Sequence, residues 1–195
     1  MLKVLVMAGS ARQGALSGRL AAAGAAVLAA QGAQTTTLDL RALALPIYDG
    51  DLEAAHGVPA PAVRLRDAVA GHDALLLVTP EYNGFPTPLF VNAFDWLSRV
   101  PADAGGPQGL AATAGKVAAV LSSSPGALGG LRSLNYVRQY LQMAFGMWVV
   151  PQQLALGQAA AAFDERGGLK DPRQAQTLER VMQALLQAAP ALRAP

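Results

Sequence analysis

Hydrophobic positions along the chain follow two alternating rhythms. Unbroken apolar runs at 4–7, 74–78, 117–121 and 147–150 are too short for helices and read as strands covered on both faces, and the β-branched run 35–40 supplies one more. Between them apolar residues recur three and four apart: Leu16, Leu20, Ala23 and Val27; Leu89, Ala93, Phe94 and Leu97; Leu131, Leu134, Val137, Leu141 and Phe145; Leu178, Val181, Met182 and Leu185. This spacing predicts helices over 16–31, over 89–99, from Leu131 to about Phe145 and over 172–188, with a weaker helical pattern at 63–70. Residues 45–61, with Pro46, Pro59, Pro61 and two glycines, read as a long loop, and 101–115 as an exposed Gly, Pro and Ala-rich excursion.

Five short strands alternating with helices predict one α/β domain over 1–195, with right-handed crossovers and a parallel sheet covered by helices on both faces. Such sheets bind ligands beyond the carboxyl ends of their strands, where the strand order reverses. The loops after the first, third and fourth strands therefore become the places to look for chemistry, and they hold the unusual residues.

The first loop offers Ser10, Arg12 and Ser17 at the start of a helix, where free amides and the helix dipole favour phosphate. It reads equally well as a serine N-cap beside a solvated arginine. In the third-strand loop Pro80 stops strand pairing, while Asn83 and Gly84 can take turn conformations that present amides to a flat object and Tyr82 adds an aromatic face. Glu81 alone would be an ordinary surface carboxylate. Ser123, Ser124, Pro125 and Gly126 after the fourth strand either let backbone approach the same ligand or form a plain strand-to-helix turn. G-x-G-x-x-G is absent, and Gly115-Lys116-Val117 leads into a strand, so neither a dinucleotide fingerprint nor a Walker loop is present.

Composition removes several alternatives. The chain has 15 Lys+Arg against 13 Asp+Glu, a net charge of +2, with no run of five like charges, so neither a nucleic-acid patch nor a polybasic membrane segment is indicated. It has no cysteine, which excludes disulfide scaffolds, thiol nucleophiles and Cys-ligated metal centres, so redox chemistry would need a bound cofactor. No apolar stretch approaches the ~18 residues of a membrane span, and the start reads as a strand, which predicts a soluble, cytoplasmic protein. No metal cluster is expected, and His56 and His72 read as surface residues.

Together the three loops resemble the NADPH-dependent FMN reductase family, flavodoxin-like enzymes that include quinone, chromate and azo reductases. The resemblance rests on Gly9-Ser10-Ala11-Arg12, on Pro80-Glu81-Tyr82-Asn83-Gly84 followed by Pro88, Asn92, Asp95 and Trp96, and on Ser123-Ser124-Pro125-Gly126 with Gly129, Gly130 and Arg132. It implies a flavodoxin-like fold with sheet order 2-1-3-4-5. It also implies FMN, with Ser10, Arg12 and Ser17 on the phosphate, Pro80, Glu81, Tyr82, Asn83 and Gly84 along the ring edge, and Ser123, Ser124, Pro125 and Gly126 lining the other side. Where family members commonly carry serine and asparagine this chain has Ala15 and Ser17, and Val91 stands where a basic residue is common.

The implied activity is ping-pong transfer of two electrons from NADPH or NADH through FMN to a quinone, free flavin or other small acceptor, with no side chain needed as acid or base. An electron-carrier flavodoxin and a binding protein that has lost FMN are the alternatives. Arg99 and Arg132 are candidate contacts for a nicotinamide phosphate. The resemblance further implies a homodimer or dimer of dimers, for which Phe90, Phe94, Trp96, Tyr136, Tyr140 and Phe145 would supply the surface.

Overall fold

The apolar runs 4–7, 74–78 and 117–121 are buried on both faces because helices cover each side of one sheet, whereas the edge run 147–150 leaves Trp148 58% exposed. The computed structural model describes residues 1–103 and 105–192. Its elements are β1 (Lys3–Ala8), α1 (Leu16–Ala30), β2 (Gln34–Leu38), α2 (Gly50–His56), α3 (Ala60–Ala70), β3 (Ala74–Thr79), α4 (Pro88–Arg99), α5 (Gly109–Thr113), β4 (Val117–Ser123), α6 (Leu131–Phe145), β5 (Trp148–Val149), β6 (Leu154–Leu156) and α7 (Pro172–Ala191).

All strand pairings are parallel, in the order β2-β1-β3-β4-β5, with β6 also pairing β4. Val4, Val6, Leu76, Ala119 and Leu121 pack with α1 and α7, while Leu5, Met7, Leu75, Leu77 and Val120 pack with α3, α4 and α6 on the other side. The alternation is the two-residue period of a strand with both faces covered. This is the flavodoxin-like arrangement, whose strand order reverses between β1 and β3.

Five local readings change. A short helix, α2, lies inside the 45–61 segment: Asp49 caps it by accepting from the amides of Asp51 at 2.8 Å and Leu52 at 3.4 Å. It buries none of its residues, so it leaves no apolar period to read. The 101–115 excursion contains α5, which buries Gly109, Ala112 and Thr113 in too short a span for a helical pattern, while residue 104 lies outside the described residues. Leu131 opens α6 but is 37% exposed rather than part of its inward face.

The fifth strand position is divided between two short strands. β5 pairs with Val117 and Ala118; the chain then leaves the ladder at Pro151, which has no amide to donate, and returns as β6 opposite Leu121, Ser122 and Ser123. The expected aromatic surface is likewise mostly core. Phe90, Phe94, Trp96 and Phe145 are at most 4% exposed, and Tyr140 is partly buried with its hydroxyl on Asp95 at 3.1 Å. Only Tyr136 of the six stands in solvent.

The N-x-x-D-W stretch has a structural task. Asn92 accepts from the amide of Tyr48 at 2.7 Å and donates to the carbonyl of Pro46 at 2.8 Å, which also receives the indole N–H of Trp96 at 2.8 Å. These bonds hold the loop after β2 against α4.

Candidate functional site

The first loop leaves β1 at Gly9, whose amide still donates to Val78 at 2.9 Å. A side chain on Gly9 would stand 3.3 Å from the Thr87 hydroxyl and 3.4 Å from Cβ of Phe90, so glycine lets this loop lie directly on the start of α4. Thr87 donates its hydroxyl to the Gly9 carbonyl and caps α4 by accepting from Phe90 at 3.3 Å. One threonine therefore joins the loops after β1 and β3.

Neither serine of the first loop caps α1. Its N-cap is Ala15, which has no side-chain acceptor, and the hydroxyl of Ser10 accepts from Arg12 at 3.2 Å instead. Ser17 is the second helical residue, 1% exposed, and its hydroxyl has no partner among the described residues. A sealed, unpaired hydroxyl costs roughly 1–3 kcal/mol. The first amides of α1 also have no partner among the described residues, so the helix end combines unmatched donors with the positive end of its dipole.

After β3 the chain makes a tight hairpin turn. Tyr82 and Phe85 exchange both backbone hydrogen bonds at 3.0 Å, with positive φ at Asn83 (54°) and Gly84 (85°), the mirror-image turn favoured by an Asn-Gly pair. The amides of Asn83 and Gly84 donate to nothing among the described residues.

α6 holds this turn in place. The Glu81 carboxylate accepts from the amides of Arg132 at 3.1 Å and Ser133 at 3.3 Å and from the Arg132 guanidinium, with its Nε at 2.9 Å. The hydroxyl of Ser133 meets the carbonyl of Pro80 at 2.9 Å and the hydroxyl of Thr79 at 3.0 Å, and the rings of Phe85 and Tyr136 stack with centroids 4.4 Å apart. The Arg132 guanidinium hydrogen bond holds the Glu81 carboxyl below its ordinary value against the desolvation that would raise it, with the Ser133 amide adding to the effect.

The loop after β4 rests on β6 and the turn that follows it. Ser124 donates to Leu156 and accepts from Ala159, both at 3.1 Å, and the Gly126 carbonyl accepts from Gln158 at 3.1 Å. Gly129, at φ 63°, has no room for a side chain, because one would come within 2.7 Å of the Gly157 nitrogen. Its backbone approaches β6, so the glycine serves the fold here. Ser123 remains at the end of β4, 1% exposed, with its hydroxyl unpartnered among the described residues.

The three loops enclose a cavity of about 130 Å³ lined by Ser10, Arg12, Ala15, Leu16, Ser17, Pro80, Glu81, Tyr82, Ser123, Ser124 and Pro125. It gathers nine of the twelve residues assigned to the cofactor from the sequence; Asn83, Gly84 and Gly126 adjoin it in the same loops. A larger hollow of about 700 Å³ lies at the amino ends of the strands, around Lys3, His72, Lys116 and Trp148, away from the switch point. Arg99 is not in the site: Glu53 binds its Nε at 3.0 and 3.1 Å.

Arrangement and chemistry agree with an elongated ligand that is phosphorylated at one end and flat at the other. Free amides, an arginine and a buried hydroxyl meet at the helix end, while two unpartnered amides and an aromatic ring border the turn. Thr87 and Ser133 were not singled out in the sequence. Thr87-Pro88 does carry a readable signal, an N-cap followed by proline at the first helical position, whereas nothing adjacent marks Ser133.

The sequence model of the family described as NADPH-dependent FMN reductase matches residues 2–161. An NAD(P)H-dependent FMN reductase of Pseudomonas aeruginosa is 32% identical over 184 residues, covering 94% of this chain and 93% of that protein. A quinone reductase of Pseudomonas putida is 39% identical over 127 residues, 65% of this chain, and the match spans 64% of that relative's length. Among solved structures, the flavoenzyme NAD(P)H:(acceptor) oxidoreductase FerB of Paracoccus denitrificans superposes with a TM-score of 0.81 at 28% identity, covering 98% of this chain and 99% of its own.

The Glu81 clamp makes a prediction about acid. Because folding lowers its pKa, its stabilising contribution is fully present above the ordinary glutamate value of about 4.3 and is lost as pH falls below that through the folded value. Between about pH 6 and pH 3.5 the melting temperature of Glu81→Gln should therefore fall less than that of the wild type. Equal falls in thermal melts would show that the carboxylate is not held as described.

Proposed function

The chain belongs to the NADPH-dependent FMN reductase family, and from that premise we propose that it is an NAD(P)H-dependent FMN and quinone reductase. The observation that carries the reading is the pair of buried, unpartnered hydroxyls, Ser17 and Ser123, which line one cavity at the strand-order reversal. Their burial without partners is costly in the free protein and is relieved by a ligand that hydrogen-bonds both.

Ser10, Arg12, Ser17 and the free amides at the start of α1 would hold the phosphate of FMN. The Pro80–Gly84 backbone would border the ring, with the Asn83 and Gly84 amides toward its N5 edge, and Ser123, Ser124, Pro125 and Gly126 would close the other side. Bound FMN supplies the redox chemistry, taking a hydride from NADPH or NADH and passing two electrons to a quinone, free flavin or other small acceptor. The chain's own part is to bind, orient and partly desolvate. Glu81 is the one carboxylate among the cavity residues, and its oxygens are already engaged by Arg132 and Ser133, which supports the reading that no side chain serves as acid or base.

Because the three loops frame one shelf, donor and acceptor would occupy it in turn. Phe85 (56% exposed), Tyr136 (46%), Tyr82 (45%) and Leu128 (61%) leave an apolar patch beside that shelf, and we infer that a second copy of the chain covers it. A monomeric mass by sedimentation would contradict the dimer.

Titrating apo-protein with FMN tests the site. Arg12→Ala should weaken binding by about 1.5–3 kcal/mol. Ser17→Ala should weaken it by about 0.5–1.5 kcal/mol while leaving the apo-protein equally or more stable, since it deletes an unpaired hydroxyl. Unchanged affinity in both variants would place the phosphate elsewhere. Initial rates with NADPH and a benzoquinone varied together should give parallel double-reciprocal lines; intersecting lines would mean that both substrates are bound at once.

A further inference from the structure

Beside the two free amides of the hairpin turn lies an ion pair whose members are held very differently. The Glu81 side chain is 10% exposed and is fixed by the first amides of α6, whereas the Arg132 side chain is 62% exposed. The guanidinium is nevertheless localised: besides its bonds to Glu81 it crosses Gly84, where a side chain would meet its central carbon at 3.5 Å. A cation therefore stands next to the unpartnered Gly84 amide, with a mostly buried anion bonded to it. The amides of Arg132 and Ser133 hold one oxygen of the carboxylate, and among the described residues the guanidinium alone holds the other.

Resting on the reading that the shelf holds FMN, we propose that the Glu81–Arg132 pair sets the reduction potential of the bound flavin. Arg132 raises the potential, and Glu81 is the positioning residue that places the guanidinium over Gly84 and offsets its charge. Hydride uptake brings two electrons and one proton from NAD(P)H, releases NAD(P)⁺ and leaves the ring one charge more negative. A nearby cation favours that reduced form and a nearby carboxylate disfavours it. A balanced pair keeps the flavin reducible by the nicotinamide and still oxidisable by the acceptor.

The two members should act with opposite sign, which a purely structural clamp would not do. FMN is first titrated into wild-type, Glu81→Gln, Arg132→Met, Arg132→Lys and double-variant apo-proteins, with far-UV circular dichroism to confirm folding. The two-electron potential of each complex is then measured against indicator dyes. Glu81→Gln should shift the balance toward reduced flavin about tenfold, or ~30 mV upward for a two-electron couple, and Arg132→Met should shift it about as far downward. Arg132→Lys and the double variant should lie near the wild type.

Shifts of the same sign in both single variants, or none in either, would overturn the proposal while leaving FMN binding intact. Failure of the wild-type protein to take up FMN would instead overturn the functional reading and this proposal with it. Should Glu81→Gln fail to fold, the comparison of Arg132→Met with Arg132→Lys decides: a downward shift in Met alone supports the pair, and equal potentials refute it.

Discussion

A parallel sheet releases its strands' carboxyl ends at one edge, and the backbone groups freed there have no further strand to pair with. Each chain segment leaving that edge must find other partners or present its donors to a ligand. Here β1, β3 and β4 end side by side, and the order reverses between β1 and β3, so one crossover turns to each face and a cleft opens between them. The rest of the site follows from how the three released segments are satisfied.

Each segment is anchored by one neighbour. Thr87 ties the first loop to the start of α4, Glu81 and Ser133 tie the second to α6, and β6 with the turn after it supports the third through Leu156, Gln158 and Ala159. The anchors use carbonyls, one carboxylate, the hydroxyls of Thr87 and Ser133 and the amides of Arg132, Ser133, Ser124, Gln158 and Ala159. Among the described residues, what remains unpaired is the Ser17 and Ser123 hydroxyls, the first amides of α1 and the amides of Asn83 and Gly84. The loops are thus fixed without consuming the donors that a phosphorylated, flat ligand needs. Preorganisation of this kind lowers the ordering cost of binding.

The sheet and its main helices were legible because long segments with a strong period leave a signal in the residues themselves. α2 and α5 were not, since one buries nothing and the other is five residues long. β6 escaped because three residues carry no period and its partner strand is far away in sequence. The loop residues were legible by type, but their partners were not. The Asn83-Gly84 turn could be read locally, whereas Glu81 looked like a surface carboxylate until α6 came against it. Sequence spacing placed six aromatics on two helices without showing that Phe90, Phe94 and Phe145 share one buried cluster with Tyr140 against them, while Trp96 is buried apart from them against Tyr48; these contacts are tertiary facts.

The central claim is that this edge is a flavin platform reduced by a nicotinamide. Its most direct test is the visible spectrum of the FMN-loaded protein during anaerobic addition of NADPH. The expected result is a flavin spectrum that bleaches on mixing and returns when a quinone is added. A protein that neither carries nor takes up FMN, or a bound flavin that stays yellow in excess NADPH and NADH, would contradict it.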